Sequence, residues 1–169
     1  MSPSSEDRQI SDLTDKQLVR AKNTAYRYLS YRPRSRAEIE TKLRDKEFDE
    51  AVVAAVLVDL ARLGYVNDEQ FARAWARGRI RLRGFGKRRI GQELKAKGVD
   101  QEIIQETFAQ VFGETSETET AMQVAERKLR TMQHVEPEAR KRRLAGFLER
   151  KGYAFDVIRE VLSTVRKTK

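Results

Sequence analysis

The feature of this sequence that most constrains its fold is an internal repeat in three copies. Three segments, beginning at Ser35, Gly86 and Arg140, align without gaps. In each segment two apolar residues lie four positions apart, on one face of a helix. These pairs are Ile39 and Leu43, Ile90 and Leu94, and Leu144 and Leu148. Since a unit of about 50 residues buries little apolar surface alone, the repeat predicts helical units that stack on one another.

The repeat continues through the end of the helix and into the next one. A lysine follows three residues after the second apolar position, and glycine comes next in two of the three copies. A cation suits the negative end of a helix, and glycine suits the left-handed position that closes it. The first copy has Glu47 in place of glycine, which suggests a different exit from that helix. The three pairs are Lys46 and Glu47, Lys97 and Gly98, and Lys151 and Gly152.

A further helix precedes each repeated pair of helices. Capping-box patterns at residues 35–38 and 67–70 mark two helix starts, and no segment has the pattern of a β-strand. We predict an all-α fold of three tandem three-helix units that form an elongated, curved array. The alternative is one compact globule of nine helices. The predicted leading helices cover about residues 16–31, 68–83 and 117–132. The predicted segments are a disordered tail at 1–14 and units at 15–66, 67–113 and 114–169.

Positive charge is concentrated in the middle unit. The chain has a formal net charge of +9, and residues 73–97 carry ten basic side chains against one acid, so the remainder sums to zero. A helical wheel places a row of arginines opposite an apolar stripe that consists of Phe71, Trp75, Gly78 and Leu82. Like charges on one helix face repel each other, so this row indicates anion binding more than a merely solvated face. The predicted binding residues are Arg73, Arg77, Arg81, Arg83, Lys87, Arg88, Arg89 and Lys95.

Acidic side chains are concentrated in the stretch that follows. Residues 99–126 contain no base. This stretch is either a solvated acidic surface, or a surface that repels polyanions or meets a basic protein. Its acidic residues are Asp100, Glu102, Glu106, Glu114, Glu117, Glu119 and Glu126.

The sequence argues against catalysis. It has no cysteine and a single histidine, His134, so neither a thiol nucleophile nor a histidine-based triad or metal site is available. The Gly86 and Lys87 pair lacks the earlier glycine and the following serine or threonine of a phosphate-binding loop. We predict a protein that is not an enzyme and needs no cofactor or metal. The polar start and the lack of long apolar segments predict a cytoplasmic protein without membrane contact.

Taken together in this order and spacing, several motifs resemble the RecX family of bacterial regulators. The likeness covers about residues 20–166. One departure from the family pattern is Glu47, and another is Asn67, where an acidic residue is expected. The motifs are residues 28–29, 34–35, 38–39, 64–68, 71–72, 86–90, 93–94, 97–98 and 147–153.

The resemblance implies an array of three-helix units that binds filaments of the RecA recombinase on single-stranded DNA. It implies inhibition of filament growth, ATPase activity and strand exchange in DNA repair. We expect weaker, non-specific binding to DNA itself, and a monomeric protein. The alternative is a sequence-specific DNA-binding regulator of transcription, because three-helix units also present recognition helices to the major groove.

Overall fold

The fold is entirely helical in the part of the chain that the structure describes. The computed structural model describes the backbone of residues 5–114 and 116–167 and the side chains of residues 15–113 and 116–165. The predicted all-α class is confirmed, and none of the described helices is long and apolar enough to cross a membrane. The helices are α1 (Ser5–Leu29), α2 (Arg36–Arg44), α3 (Glu50–Arg62), α4 (Asp68–Arg83), α5 (Lys87–Ala96), α6 (Gln101–Glu114), α7 (Glu117–Arg130), α8 (Pro137–Lys151) and α9 (Phe155–Lys167).

The first helix begins earlier than predicted. Apolar periodicity placed its start near residue 16, whereas α1 begins at Ser5. A polar stretch that continues a helix leaves no periodic signal, because it has no apolar face to bury. Of the tail predicted to be disordered, residues 1–14, α1 covers the part from Ser5 onwards, and residues 1–4 lie outside the described residues.

Local hydrogen bonds fix the predicted helix starts. The Ser35 hydroxyl accepts from the Glu38 N–H at 3.2 Å, and the Glu38 carboxylate accepts from the Ser35 N–H at 3.2 Å, which confirms this capping box. At the start of α4 the Asn67 side chain accepts from the N–H three residues further on, at 2.8 Å. A third capping box, formed by Ser116 and Glu119 at the start of α7, was not predicted. Side-chain caps satisfy N–H groups that the helix itself leaves unpaired.

The chain divides into two compact units. The first comprises Met1–Phe71 with Lys97–Val99, and the second comprises Ala72–Ala96 with Asp100–Lys169. The six repeated apolar positions are each at most 1% exposed, as the helical pattern predicted; they are Ile39, Leu43, Ile90, Leu94, Leu144 and Leu148. The boundaries predicted for the three repeat units remain predictions.

Within the first unit, the start of α2 packs on the turn that follows α5; we call this the first joint. The buried Ser35 hydroxyl donates to the Lys97 carbonyl at 2.6 Å. The Lys97 ammonium donates to the Glu38 carboxylate at 3.2 Å. Gly98 has a φ of +71°, and a Cβ atom added there would overlap the Cβ of Ala37. Glycine therefore allows the turn and the helix start to approach closely.

Within the second unit, the start of α5 packs in the same way on the turn after α8; this is the second joint. The Gly86 N–H donates to the Lys151 carbonyl at 2.9 Å, and the Arg88 N–H donates to the Gly152 carbonyl at 3.1 Å. Gly152 has a φ of +87°, and an added Cβ atom would lie 2.5 Å from the backbone nitrogen of Arg89. The repeat places Gly152 opposite this helix start as it places Gly98 opposite the start of α2.

The turn after α2 corrects one expectation. Glu47 has a φ of +58°, in the left-handed region that the two repeated glycines occupy. The Phe48 N–H donates to the Leu43 carbonyl at 3.4 Å, as the Tyr153 N–H does to the Leu148 carbonyl at 3.2 Å. The predicted difference in the helix exit is therefore wrong. Glu47 is exposed, so its side chain extends into open space. A Cβ atom at either Gly98 or Gly152 would instead overlap a neighbouring residue.

Candidate nucleic-acid interface

The inward face of α4 differs from the predicted apolar stripe. Ala72 and Ala76 are fully buried, whereas Leu82 is 73% exposed. Trp75 is half-buried, and its indole N–H donates to the Glu93 carboxylate at 2.9 Å. The helical wheel placed Phe71 correctly, since it is buried, but Ala72 and Ala76 rather than further large side chains complete the buried face. The prediction that Leu82 belongs to the core is therefore wrong.

The arginines of α4 and α5 lie mostly on the surface. Arg73 and Lys87 are half-buried, and the other six predicted residues are exposed. Among the described side chains, no carboxylate forms an ion pair with five of these six, which are Arg81, Arg83, Arg88, Arg89 and Lys95. These cations are therefore available to an external anion.

Lys87 and Arg73 are among the predicted residues that have partners within the protein. The Lys87 N–H donates to the Glu117 carboxylate at 2.8 Å, and the Lys87 ammonium lies 3.8 Å from the same group. Burial raises the pKa of Glu117, while the Lys87 N–H acts in the opposite direction. Arg73 contacts the Gln110 side-chain oxygen at 3.5 Å. Glu117, from the acidic stretch, therefore contributes to packing rather than to a solvated surface.

The single acid among residues 73–97 neutralises an arginine that was not predicted to bind. The Arg79 guanidinium pairs with the Glu93 carboxylate at 2.5 Å. The same guanidinium lies 4.1 Å from the centre of the Trp75 ring. Arg79 is thus held in place by a carboxylate and an aromatic ring.

A cleft in the second unit brings two predicted residues together with cations from α7 and α8. We call it the basic cleft. It has a volume of about 340 Å³, and its lining includes five cationic side chains and no acidic one. Arg88, by contrast, lines a separate groove beside α8 and α9. The residues of the basic cleft are Arg81, Leu82, Arg83, Gly84, Val124, Arg127, Lys128, Thr131, Phe147 and Lys151.

A second cleft extends this surface along α7 and α8. We call it the adjoining cleft, because Lys128 and Thr131 line both clefts. It has a volume of about 410 Å³ and also lacks an acidic residue in its lining. Its other residues are Met132, Val135, Arg142, Arg143, Gly146 and Arg150. The two clefts together form one continuous cationic surface on the second unit.

Lys151 is a half-buried cation of the basic cleft. Its ammonium donates to the Arg83 carbonyl at 2.5 Å. Burial, and then the positive charges of Arg83, Arg127 and Arg89, lower the pKa of Lys151. Positive charges held together without a carboxylate raise the local electrostatic potential, and an anion that binds there relieves this repulsion.

The cations of α7 and α8 were missed in the sequence because their charge is cancelled along the chain. Residues 99–126 contribute only acids, so the net charge beyond residue 97 hid a basic surface. The run of four basic residues at 140–143 was a usable signal. The position of Arg142 and Arg143 in the fold, in one cleft with Lys128 and Thr131, was not visible from the repeat alone. The missed residues are Arg127, Lys128, Arg142, Arg143, Arg150 and Lys151.

Three family models match consecutive parts of this chain. The first three-helix domain of RecX matches residues 21–60, the second matches residues 67–107, and the third matches residues 115–162. The matches agree with the prediction of repeated three-helix units.

Curated relatives and solved structures give the same result. A protein named Regulatory protein RecX from Mycolicibacterium vanbaalenii is 37% identical over 175 residues, covering 98% of this chain and 95% of the relative. A relative of the same name from Streptomyces coelicolor is 36% identical and covers 86% of this chain and 79% of its own length. The crystal structure of RecX from Lactobacillus salivarius has a TM-score of 0.81 at 24% identity, covering 90% of this chain and 98% of that one, and this likeness shows the fold.

Proposed function

The chain belongs to the RecX family of regulatory proteins, and from this premise we propose that it binds filaments of the RecA recombinase on single-stranded DNA. Binding restrains the growth of the filament and reduces its ATPase and strand-exchange activities. The protein acts by occupying the filament and shifting its assembly equilibrium, and it needs no chemical step of its own.

The observation that carries this proposal is the group of exposed cations without carboxylate partners on the second unit. Arg81 and Arg88 are exposed, and no described carboxylate pairs with either of them. Guanidinium groups match phosphate and carboxylate oxygens in geometry as well as in charge. A DNA–protein filament offers both kinds of anion.

The proposal is tested by co-sedimentation of the protein with RecA–single-stranded DNA filaments, with RecA alone and DNA alone as controls. The test variant replaces four cations of α4 and α5 with glutamine, at Arg77, Arg81, Arg88 and Lys95. Each phosphate contact contributes about 0.7 to the slope of log K against log salt on single strands. We expect the variant to bind filaments more weakly and with a slope lower by about 2.8 for four contacts.

A matched control removes the same charge from the first unit. It replaces four exposed cations with glutamine, at Arg20, Arg27, Lys46 and Arg62. We expect this control to bind filaments almost as the wild type does. Equal losses in both variants would mean that net charge, rather than the surface of α4 and α5, governs binding. Tight binding to one duplex sequence and none to filaments would instead support a transcription regulator.

A further inference from the structure

The basic cleft combines cations with one exposed apolar side chain. Leu82 is 73% exposed, follows Arg81 and precedes Arg83 in the sequence, and lines the cleft together with both arginines. We propose that the basic cleft binds the phosphates of one unpaired nucleic-acid strand and that Leu82 contacts a base of that strand. This inference rests on the proposed function, in that it assigns a ligand to part of the same cationic surface.

The cations of the basic cleft suit a sugar–phosphate backbone. Arg127 is exposed on α7 and points to the same cleft as Arg83, from α4, and Lys151, from α8. Three helices therefore contribute positive charge to one concave surface. The adjoining cleft continues this surface through Arg142 and Arg150. A backbone with one negative charge per nucleotide fits a row of cations of this kind better than an isolated anion does.

The position of Leu82 indicates what the strand must offer besides phosphate. The large apolar side chain of Leu82 is exposed to solvent, whereas Phe71, Ala72 and Ala76 of the same helix are buried. The Phe147 ring also lines the basic cleft, where the ammonium groups of Lys128 and Lys151 each lie 5.5 Å from its centre. An apolar surface beside cations is what binds an unpaired base next to its own phosphate.

An unpaired strand fits these features better than a duplex. In a duplex the base faces are stacked and covered, so Leu82 reaches a base only by entering between two base pairs, which requires that the stack be broken. In a single strand the base faces are accessible. An acidic protein surface would account for the cations but leaves the exposed leucine without a role.

The role of Leu82 is tested by the variant Leu82→Ala in anisotropy titrations of fluorescent oligonucleotides. The probes are oligothymidine, an abasic strand of equal length, and a duplex. We expect about a fivefold loss of affinity for oligothymidine and almost none for the abasic strand or the duplex. The control Phe155→Ala removes a side chain of the same unit that is 76% exposed and lies outside the cleft. Equal losses on all three probes, or on Phe155→Ala, would overturn the assignment of a base to Leu82.

The role of the cations is tested by the double variant Arg127→Gln and Lys128→Gln. We expect weaker binding to both oligothymidine and the abasic strand, and a salt slope lower by about 1.4 for two contacts. The control double variant is Arg27→Gln with Lys46→Gln in the first unit, and its binding should be unchanged. An unchanged slope in Arg127→Gln with Lys128→Gln would show that the cleft does not hold phosphates.

Filament co-sedimentation of the same variants separates this inference from the proposed function. If Leu82→Ala and the double variant reduce filament binding but not binding to naked strands, the cleft meets an acidic protein surface and the inference fails while the proposed function stands. If wild-type protein binds oligothymidine through the cleft but not filaments, the proposed function fails and the inference stands. Loss in both assays supports both.

Discussion

The two joints occupy the same positions in the repeat but differ in charge. At the first joint the Lys97 ammonium is paired with the Glu38 carboxylate at 3.2 Å. At the second joint the equivalent lysine is Lys151, and the residue equivalent to Glu38 is Arg89. Burial, and then the charges of Arg83, Arg127 and Arg89, lower the pKa of Lys151. The first joint is therefore neutralised internally, and the second joint is cationic.

The comparison of the two joints distinguishes the features that the packing of the repeat requires from the charges that anion binding requires. Both joints keep a glycine in the left-handed region and a hydrogen bond to the lysine carbonyl, so these features hold the packing together. The carboxylate is not needed for the packing, since the second joint lacks it. An arginine at that position adds repulsion to the fold, and we propose that an external anion relieves this repulsion.

The largest effect is expected from removing a shared feature of the joints. In Gly152→Ala, a left-handed residue with a side chain costs about 1 kcal/mol, and overlap with the Arg89 backbone costs about 2 kcal/mol more. The obstructing atoms at the second joint are the Cβ, the backbone nitrogen and the Cα of Arg89, and none of these atoms moves when the side chain changes rotamer. We expect the free energy of unfolding of the second unit to fall by about 3 kcal/mol, measured by urea denaturation.

Glu47→Ala is the matched control for Gly152→Ala. It places the same side chain at the equivalent turn, where the residue is already non-glycine and exposed. We expect almost no change in stability. A loss as small in Gly152→Ala as in Glu47→Ala would show that the second joint yields easily and does not determine packing.

The second-largest loss of stability is expected from removing the charge of the Glu38 carboxylate, which only the first joint has. Burial raises the pKa of Glu38, but hydrogen bonds from Arg32, the Ser35 N–H and Lys97 outweigh it and lower the pKa from 4.5 to about 2. Glu38→Gln keeps the shape and removes the charge. We expect a loss of about 2 kcal/mol at neutral pH, the usual scale for hydrogen bonds to a partly buried charged group.

The pH dependence of stability provides a second measurement of Glu38. Since its folded pKa is below the value of 4.5 in the unfolded chain, its contribution is complete above pH 4.5 and is lost as the pH falls towards 2. Glu38→Gln should lack this component of the acid sensitivity. Glu50→Gln, which changes an exposed carboxylate of the same unit, is the control. Identical acid profiles in wild type and Glu38→Gln would show that the Glu38 carboxylate does not stabilise the first joint.

The repeat determined most of the fold from sequence, because its signals are local. Buried positions, capping boxes and helix-closing turns all follow from spacing within one helix or between two neighbouring ones. The contacts at the two joints could not be predicted from such local spacing. The contact between Ser35 and Lys97 joins residues far apart in the chain, and the positive φ of Glu47 has no signature in its own residue type.

The candidate site was predicted in part for a related reason. Charge counting along the chain identified Arg81 and Arg83, but the cleft also needs Arg127 and Lys151. These two cations lie within residues 98–169, where 12 acidic residues nearly balance 13 basic ones. Leu82 was misplaced because hydrophobicity was taken as a sign of burial. A leucine on a cationic surface breaks that rule, as residues at binding sites often do.

The third-largest effect is expected from a change of charge at the second joint, and it concerns affinity rather than stability. Arg89→Glu gives the second joint the carboxylate that the first joint has, within reach of Lys151 if the two joints are equivalent. A glutamate in the first turn of α5, which has no acid there, also favours the helix dipole. We expect unchanged or slightly higher stability and about a tenfold loss of affinity for oligothymidine, or about 1.4 kcal/mol.

Lys46→Glu is the control for this exchange. It changes the net charge by the same amount at an exposed lysine of the first unit. If Lys46→Glu weakened oligothymidine binding as much as Arg89→Glu, the charge of the second joint would have no special role. If Arg89→Glu destabilised the second unit, Arg89 would be needed for packing, and the two joints would not be equivalent.

The smallest effect is expected at the turn that belongs to neither joint. Glu47→Gly relieves a left-handed conformation that costs a residue with a side chain about 1 kcal/mol. The extra freedom of glycine in the unfolded chain lowers this gain in stability by about 0.4–1 kcal/mol. We expect stability to rise by less than about 1 kcal/mol in urea denaturation. A clear loss would mean that the Glu47 side chain stabilises the turn by its own contacts. A small gain would mean that backbone conformation alone demands little of this position, and that the glycines at the two joints are needed chiefly for the close approach of a neighbouring helix.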